Sequence, residues 1–186
     1  MAPREKLLPM EALLVDRLPE GNAWRYEPKW DGFRCLAFKR DDTVTLLSKS
    51  GKPLERYFPD IVSRLEKLAV KTCILDGELL VQGEDGYSFS DLQLRLHPAA
   101  SRVKILAQKQ PATFVIFDLP ETEQGTNIIS APLSERRVLL EQFTNRLRKL
   151  LDQFIARRNR VAILHGTGIW HSGAGSQCVR HIVGNV

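Results

Sequence analysis

The chain has 186 residues, 43% of them hydrophobic and 26% charged, the make-up of one soluble globular domain or one and a fraction. No stretch reaches the roughly 18 consecutive apolar residues of a membrane span, and the N-terminus lacks the apolar core of a secretory signal. A net charge of +5 suits polyanionic partners without naming one, and three cysteines (Cys35, Cys73, Cys178) fit a reducing cytoplasm better than a disulfide framework.

The first distinctive stretch is Glu27-Pro28-Lys29-Trp30-Asp31-Gly32-Phe33-Arg34. It sets a lysine two residues before an Asp-Gly pair and an arginine two residues after it, an arrangement suited to a lysine nucleophile attacking a nucleotide phosphate. An amine attacks phosphorus only when unprotonated, and free lysine has a pKa of about 10.4. Burial, a neighbouring cation or a metal can lower that value. Trp24, Tyr26, Trp30 and Phe33 are candidates for the apolar surroundings, Arg34 for the charge, and Asp31-Gly32 for a tight turn that aims Lys29. Taken alone, the motif also fits an exposed lysine beside a hairpin turn.

Phe33 to Lys39 and Thr43 to Leu47 read as a β-hairpin, with Cys35 a small buried hydrophobe. Ser48 to Pro53 reads as a turn in which Gly51 can take a positive φ. Tyr57 to Ala69 reads as a helix with Ile61, Leu65 and Leu68 on one face and Pro59 in its first turn. Cys73 to Leu75 and Glu78 to Val81 read as two strands meeting at an Asp76-Gly77 turn. Asp76-Gly77-Glu78 is then either a plain hairpin turn or a carboxylate facing a ribose hydroxyl or a divalent metal.

Gly83 to Gly86 makes another turn, and Ser90 can cap a short helix through Leu96. Phe114 to Phe117 is a continuous apolar run, hence a buried strand with Asp118 at its end. Phe117 is either core or a base-stacking platform, and Asp118 either a turn starter or a third point of a site. Pro132 and Ser134 open the clearest helix, with Leu139, Phe143, Leu147, Leu150 and Phe154 at spacings of 4, 4, 3 and 4. The pattern is a mixed α+β domain with mainly antiparallel strands.

Taken in order, these motifs resemble the nucleotidyltransferase (adenylation) domain of ATP-dependent DNA ligases of the bacterial type, over roughly Pro9 to Lys149. Glu27 to Arg34 is similar to that family's first motif, Ser48 to Gly51 to its second, Asp76 to Glu78 to its third, and Phe114 to Asp118 to its fourth. Flanking text such as PMEALLVDRLPEG, SGKPLERYFPDI and RLHPAASR carries the same resemblance.

The resemblance implies an ATP-grasp-like α+β fold of mainly antiparallel sheets flanked by helices, and the use of ATP and Mg2+. It implies nicked double-stranded DNA as partner and a cytoplasmic, monomeric protein. Lys29 would attack the α-phosphate of ATP to give a lysyl-AMP intermediate. AMP would pass to a 5′-phosphate at a nick, and the adjacent 3′-hydroxyl would displace it. By the same carry-over Glu27 would sit at the adenine and Phe117 would stack on it. Arg34 would contact ribose or phosphate, and Glu78 the ribose or the metal. Lys49 stands where the family has arginine, keeping the charge and losing the bidentate fork.

The family's later Asp/Glu-Gly strand and its pair of phosphate-holding lysines are not found after Phe154. Residues 1–152 are therefore expected to form a partial adenylation domain and 153–186 an atypical basic tail, disordered or frame-shifted, with no C-terminal OB-fold domain and impaired catalysis. The tail has no Asp or Glu, and His165, His171, Cys178 and His181 match no strong zinc spacing. The competing readings are an inactive ligase fragment that at most binds nucleotide or DNA, and an RNA ligase or capping-type nucleotidyltransferase.

Overall fold

The computed structural model describes Leu7 and residues 24–151 and 180–185. In chain order these form β1 (Trp24–Pro28), β2 (Phe33–Arg40), β3 (Thr43–Ser48), a 3-10 turn (Glu55–Tyr57), α1 (Pro59–Glu66), β4 (Thr72–Val81), α2 (Phe89–Gln93), α3 (Ala100–Lys109), β5 (Ala112–Glu121), α4 (Leu133–Leu151) and β6 (Arg180–Asn185). A four-stranded antiparallel sheet runs in the order β3-β2-β4-β5, and β1 pairs with β6 in a second, two-stranded antiparallel sheet. This is the α+β, mainly antiparallel architecture expected from the sequence.

The β2–β3 hairpin turns at Asp41, whose φ of 49° is tolerable for an Asp. The following turn uses Gly51 at φ 77°, with Gly51 N–H donating to the Ser48 carbonyl at 2.8 Å. Alternation along the strands then separates two faces. Cys35 and Ala37, Cys73, Leu75, Leu79 and Val81, and Phe114 and Ile116 pack with Phe58, Ile61 and Leu65 into the core. Cys35 and Cys73 are fully buried, and burial pushes the Cys73 thiol up to about 12 and the Cys35 thiol further still. Neither is a nucleophile near neutral pH.

Two buried cations fasten the helices to this face. Lys39 Nζ donates to the carbonyl of Glu66, the last residue of α1, at 3.0 Å. Arg95, 1% exposed, donates to the carbonyls of Tyr57 (3.1 Å) and Gln110 (3.3 Å) and pairs with Asp60. The second Asp60 oxygen accepts from Ala112 N–H at 2.7 Å. One guanidinium thereby joins the 3-10 turn, α1, the residue after α3 and the first residue of β5.

Several expectations are corrected. Asp76-Gly77 is not a turn: β4 runs unbroken from Thr72 to Val81. Glycine is required there because an added Cβ would run into the Val115 carbonyl and come within 2.6 Å of the Phe114 ring. Asp118 lies inside β5, not at its end. The helix expected from Tyr57 to Ala69 spans only Pro59–Glu66, since Tyr57 belongs to the 3-10 turn. α2 is capped by Ser88, whose Oγ accepts from Asp91 N–H at 3.1 Å, and not by Ser90.

α3 was unforeseen, because its buried positions are just Val103 and Ala107, too sparse a stripe to give a clear period. α4 buries Phe143 and Leu147 as expected, but its third buried leucine is Leu140, with the expected Leu139 only partly buried beside it. The side chain of Leu150, Phe154, and the greater part of the expected tail lie outside the described residues. Among the described residues, no helix is long and apolar enough to cross a membrane.

Candidate active site

The face of the sheet opposite the core gathers the polar residues of three strands. Arg34 on β2 stands directly across from Glu78 on β4. Arg34 Nε donates to Asp76 Oδ1 at 2.6 Å and Nη2 to Asp76 Oδ2 at 2.7 Å, a bidentate pair that fixes the guanidinium plane. Over that plane lies the Phe117 ring, 4.4 Å from the guanidinium carbon to its centroid.

Phe117 reaches this face through a β-bulge. Gly77 pairs with Ile116 and Asp76 with Asp118, so Phe117 is an extra residue on the edge strand β5. A bulge re-aims a side chain, and Phe117 is partly exposed while its neighbours Ile116 and Asp118 are buried. Asp118 faces Asp76 in register and has its own arginine: Arg136 of α4 donates to both of its oxygens, at 2.9 and 2.8 Å.

Lys29 is exposed in the segment between β1 and β2. That segment is pressed onto β4 at Gly32, where an added Cβ would run into the Leu79 carbonyl and lie 2.7 Å from Leu80 Cδ2 and 2.9 Å from Glu78 Cγ. The backbone N–H of Gly32 also hydrogen-bonds Glu78. Gly32 thus serves close approach, at a bend that takes no positive φ.

Burial pushes the half-buried Glu78 carboxyl up to about 7, against the pull of Arg34, the Gly32 N–H and Lys29. Burial likewise raises the Asp76 carboxyl, opposed by Arg34 and the Gly77 N–H and reinforced by the charge of Asp118.

Lys29, Arg34, Glu78 and Phe117 are therefore neighbours. Lys49 is exposed in the turn after β3, on the far edge of the sheet from β5. Glu27 lies in β1, opposite His181 of β6, and its side chain, with those of Trp24 and Tyr26, lies outside the described residues. Phe33 does not surround Lys29; it turns to the core, edge-on to Phe58 (6.3 Å) and Phe89 (5.6 Å). Trp30 packs edge-on against Tyr87. Sequence reasoning missed Arg136 and Tyr87, neither of which stands in a motif, and missed that Asp76 holds Arg34.

Among the described residues no three His, Cys, Asp or Glu side chains converge, and Asp76 is taken up by Arg34. This donor set does not cage a metal. It fits an ion such as Mg2+ that arrives on a triphosphate and adds a single protein carboxylate, here Glu78.

The profile of the ATP dependent DNA ligase domain matches residues 10–162. DNA ligase C2 of Mycolicibacterium smegmatis is 42% identical over 133 residues, covering 72% of this chain and 37% of that protein. DNA ligase C of Mycobacterium tuberculosis is 41% identical over 132 residues, covering 71% of this chain and 36% of that protein. The chain thus spans well under half the length of these relatives. A solved structure of mycobacterial DNA ligase D complexed with ATP and MES is similar with a TM-score of 0.54 and 31% identity, covering 66% of this chain and 37% of that one.

Proposed function

This chain belongs to the ATP-dependent DNA ligase family, and from that premise we propose that residues 1–152 act as its adenylation domain, with Lys29 as the nucleophile. The observation that carries the reading is local: Lys29 leaves β1 in a segment pressed onto Glu78, beside a sheet face where Arg34 and Phe117 stack.

In this mechanism Lys29 Nζ first loses a proton to solvent and then attacks the α-phosphorus of ATP. An N–P bond forms, the P–O bond to pyrophosphate breaks, and AMP stays on the lysine. The partly exposed Phe117 ring offers its face to the adenine, where Glu27 also acts. Arg34, held flat by Asp76, presents its charge to ribose or phosphate oxygens, and Lys49 contributes a point charge to the phosphates. Glu78 accepts from a ribose hydroxyl or holds Mg2+, which when bound neutralises triphosphate charge. AMP then passes to the 5′-phosphate of nicked DNA, and the 3′-hydroxyl displaces it to seal the strand.

The test is to incubate the purified chain with labelled ATP and Mg2+ and look for an acid-labile covalent AMP adduct. The adduct is expected in wild type and absent in Lys29→Ala. No adduct in wild type would sink the catalytic reading and leave an inactive fragment that binds nucleotide or DNA. Labelling by GTP in place of ATP would favour capping chemistry, and sealing of nicked DNA against nicked RNA duplexes decides the polynucleotide.

A further inference from the structure

Trp30 immediately follows Lys29, so whatever holds the indole also holds the stretch of backbone that carries the lysine. The indole Nε1 is buried and has no hydrogen-bond partner among the described residues. No polar contact fixes the ring there. What it does touch is Tyr87, with ring centroids 5.6 Å apart and planes at 87°, the edge-to-face geometry that aromatic pairs prefer.

Tyr87 is carried on a firmly held hairpin. Gly83 N–H donates to the Gly86 carbonyl at 2.6 Å, and Ser88 N–H to the Val81 carbonyl at 2.9 Å. Gln110 Nε2 donates to the Gln82 carbonyl at 2.7 Å and to Asp91 Oδ2 at 3.1 Å, tying the hairpin base to α2 and to the residue after α3. An added Cβ on Gly83 would come within 2.8 Å of Ser88 Cβ, so the hairpin has little room to shift. Tyr87 itself is 41% exposed, so its ring is held by the hairpin and the Trp30 contact and not by burial in the core.

We propose that Tyr87 is a positioning residue for Lys29, acting through Trp30: the hairpin presents a fixed ring edge that orients the indole and thereby the lysine. This rests on the reading of Lys29 as nucleophile. Tyr87 touches neither nucleotide nor metal in this scheme, and its hydroxyl has no part in it; the ring alone matters. The consequence is kinetic. A nucleophile out of line loses rate at saturating substrate, while ATP affinity, set by Phe117, Arg34 and Glu78, stays.

The experiment uses the full chain and single-turnover formation of the AMP adduct. Tyr87→Ala is expected to slow the step at saturating ATP by about tenfold, with half-saturating ATP within about twofold of wild type, whereas Tyr87→Phe stays within about twofold in rate. Tyr87→Leu repeats the test with bulk retained should Tyr87→Ala lower the melting temperature. In a Trp30→Ala background Tyr87→Ala should cost nothing more; effects that multiply independently would overturn the proposal.

A second readout does not depend on turnover. The rate of Lys29 acetylation by acetic anhydride, followed by peptide mass spectrometry, should change at least about threefold in Tyr87→Ala relative to the exposed Lys104 and Lys109. No relative change overturns the proposal. Loss of the adduct in wild type bears on the nucleophile reading alone, so the two failures are distinguishable.

Discussion

Glu78 is half-buried with its carboxyl pushed up to about 7 from an ordinary 4.5. Between those two pH values the folded chain keeps a proton that the unfolded chain has released. Folded stability therefore falls as pH rises from about 4.5 to 7 and stays at its lower value above that range. Glu78→Gln removes the titration. In urea unfolding it should be more stable than wild type near pH 8, by up to about 3 kcal/mol, with the gap closing toward pH 4.5. An equal gap at both ends of the range would mean that packing, not charge, sets the difference. In the role proposed for Glu78, function and stability oppose each other at one side chain: the desolvation that raises its pKa is what makes a cation or ribose hydroxyl a welcome partner.

Among the elements, Arg95 makes the more connected of the two buried-cation ties on the core face. Arg95 satisfies the Tyr57 and Gln110 carbonyls and pairs with Asp60, which in turn holds the first N–H of β5. Arg95→Met keeps the length and loses every one of these bonds, leaving Asp60 short of its cation. A loss of about 3–5 kcal/mol in chemical unfolding is expected, with α2 and α3 exchanging amide hydrogens soonest. A cost under about 1 kcal/mol would show that the hub is not needed. None of this was legible in RLHPAASR, because the partners of Arg95 lie 15 to 38 positions away.

What could be read was local. The β2–β3 hairpin, the Gly51 turn and the apolar stripe of α4 each follow from neighbouring residues. So did the proximity of Lys29, Arg34, Glu78 and Phe117, though only through the order of the motifs. The Asp76-Gly77 error has a physical source: Asp-Gly is the common turn signal, and whether the glycine serves a turn or the close approach of Val115 depends on a strand nearly forty residues on. The bulge that turns out Phe117 is likewise a property of paired strands, absent from either alone.

Across the whole molecule, α4 is wired to the sheet face beside Lys29 by two carboxylates. Asp76 and Asp118 face each other in adjacent strands, an arrangement that like charges make unfavourable. Each is neutralised from outside the pair, Asp76 by Arg34 of β2 and Asp118 by Arg136 of α4. Arg136 also donates to the Ile129 and Ala131 carbonyls, so it closes the loop that leads into α4. Arg136→Met strands a buried Asp118 charge next to Asp76, adding to the upward push that Asp118 already exerts on the Asp76 carboxyl and loosening its grip on Arg34. A stability loss of about 3–5 kcal/mol is expected. The added substitution Asp118→Asn should recover at least about 1 kcal/mol of it, because the lone charge is gone. The same pair of variants reads the coupling at the site: AMP-adduct formation should be slower in Arg136→Met than in Arg136→Met with Asp118→Asn. If the double variant is no more stable and no faster than the single one, α4 acts on the site through packing and the carboxylate relay is wrong.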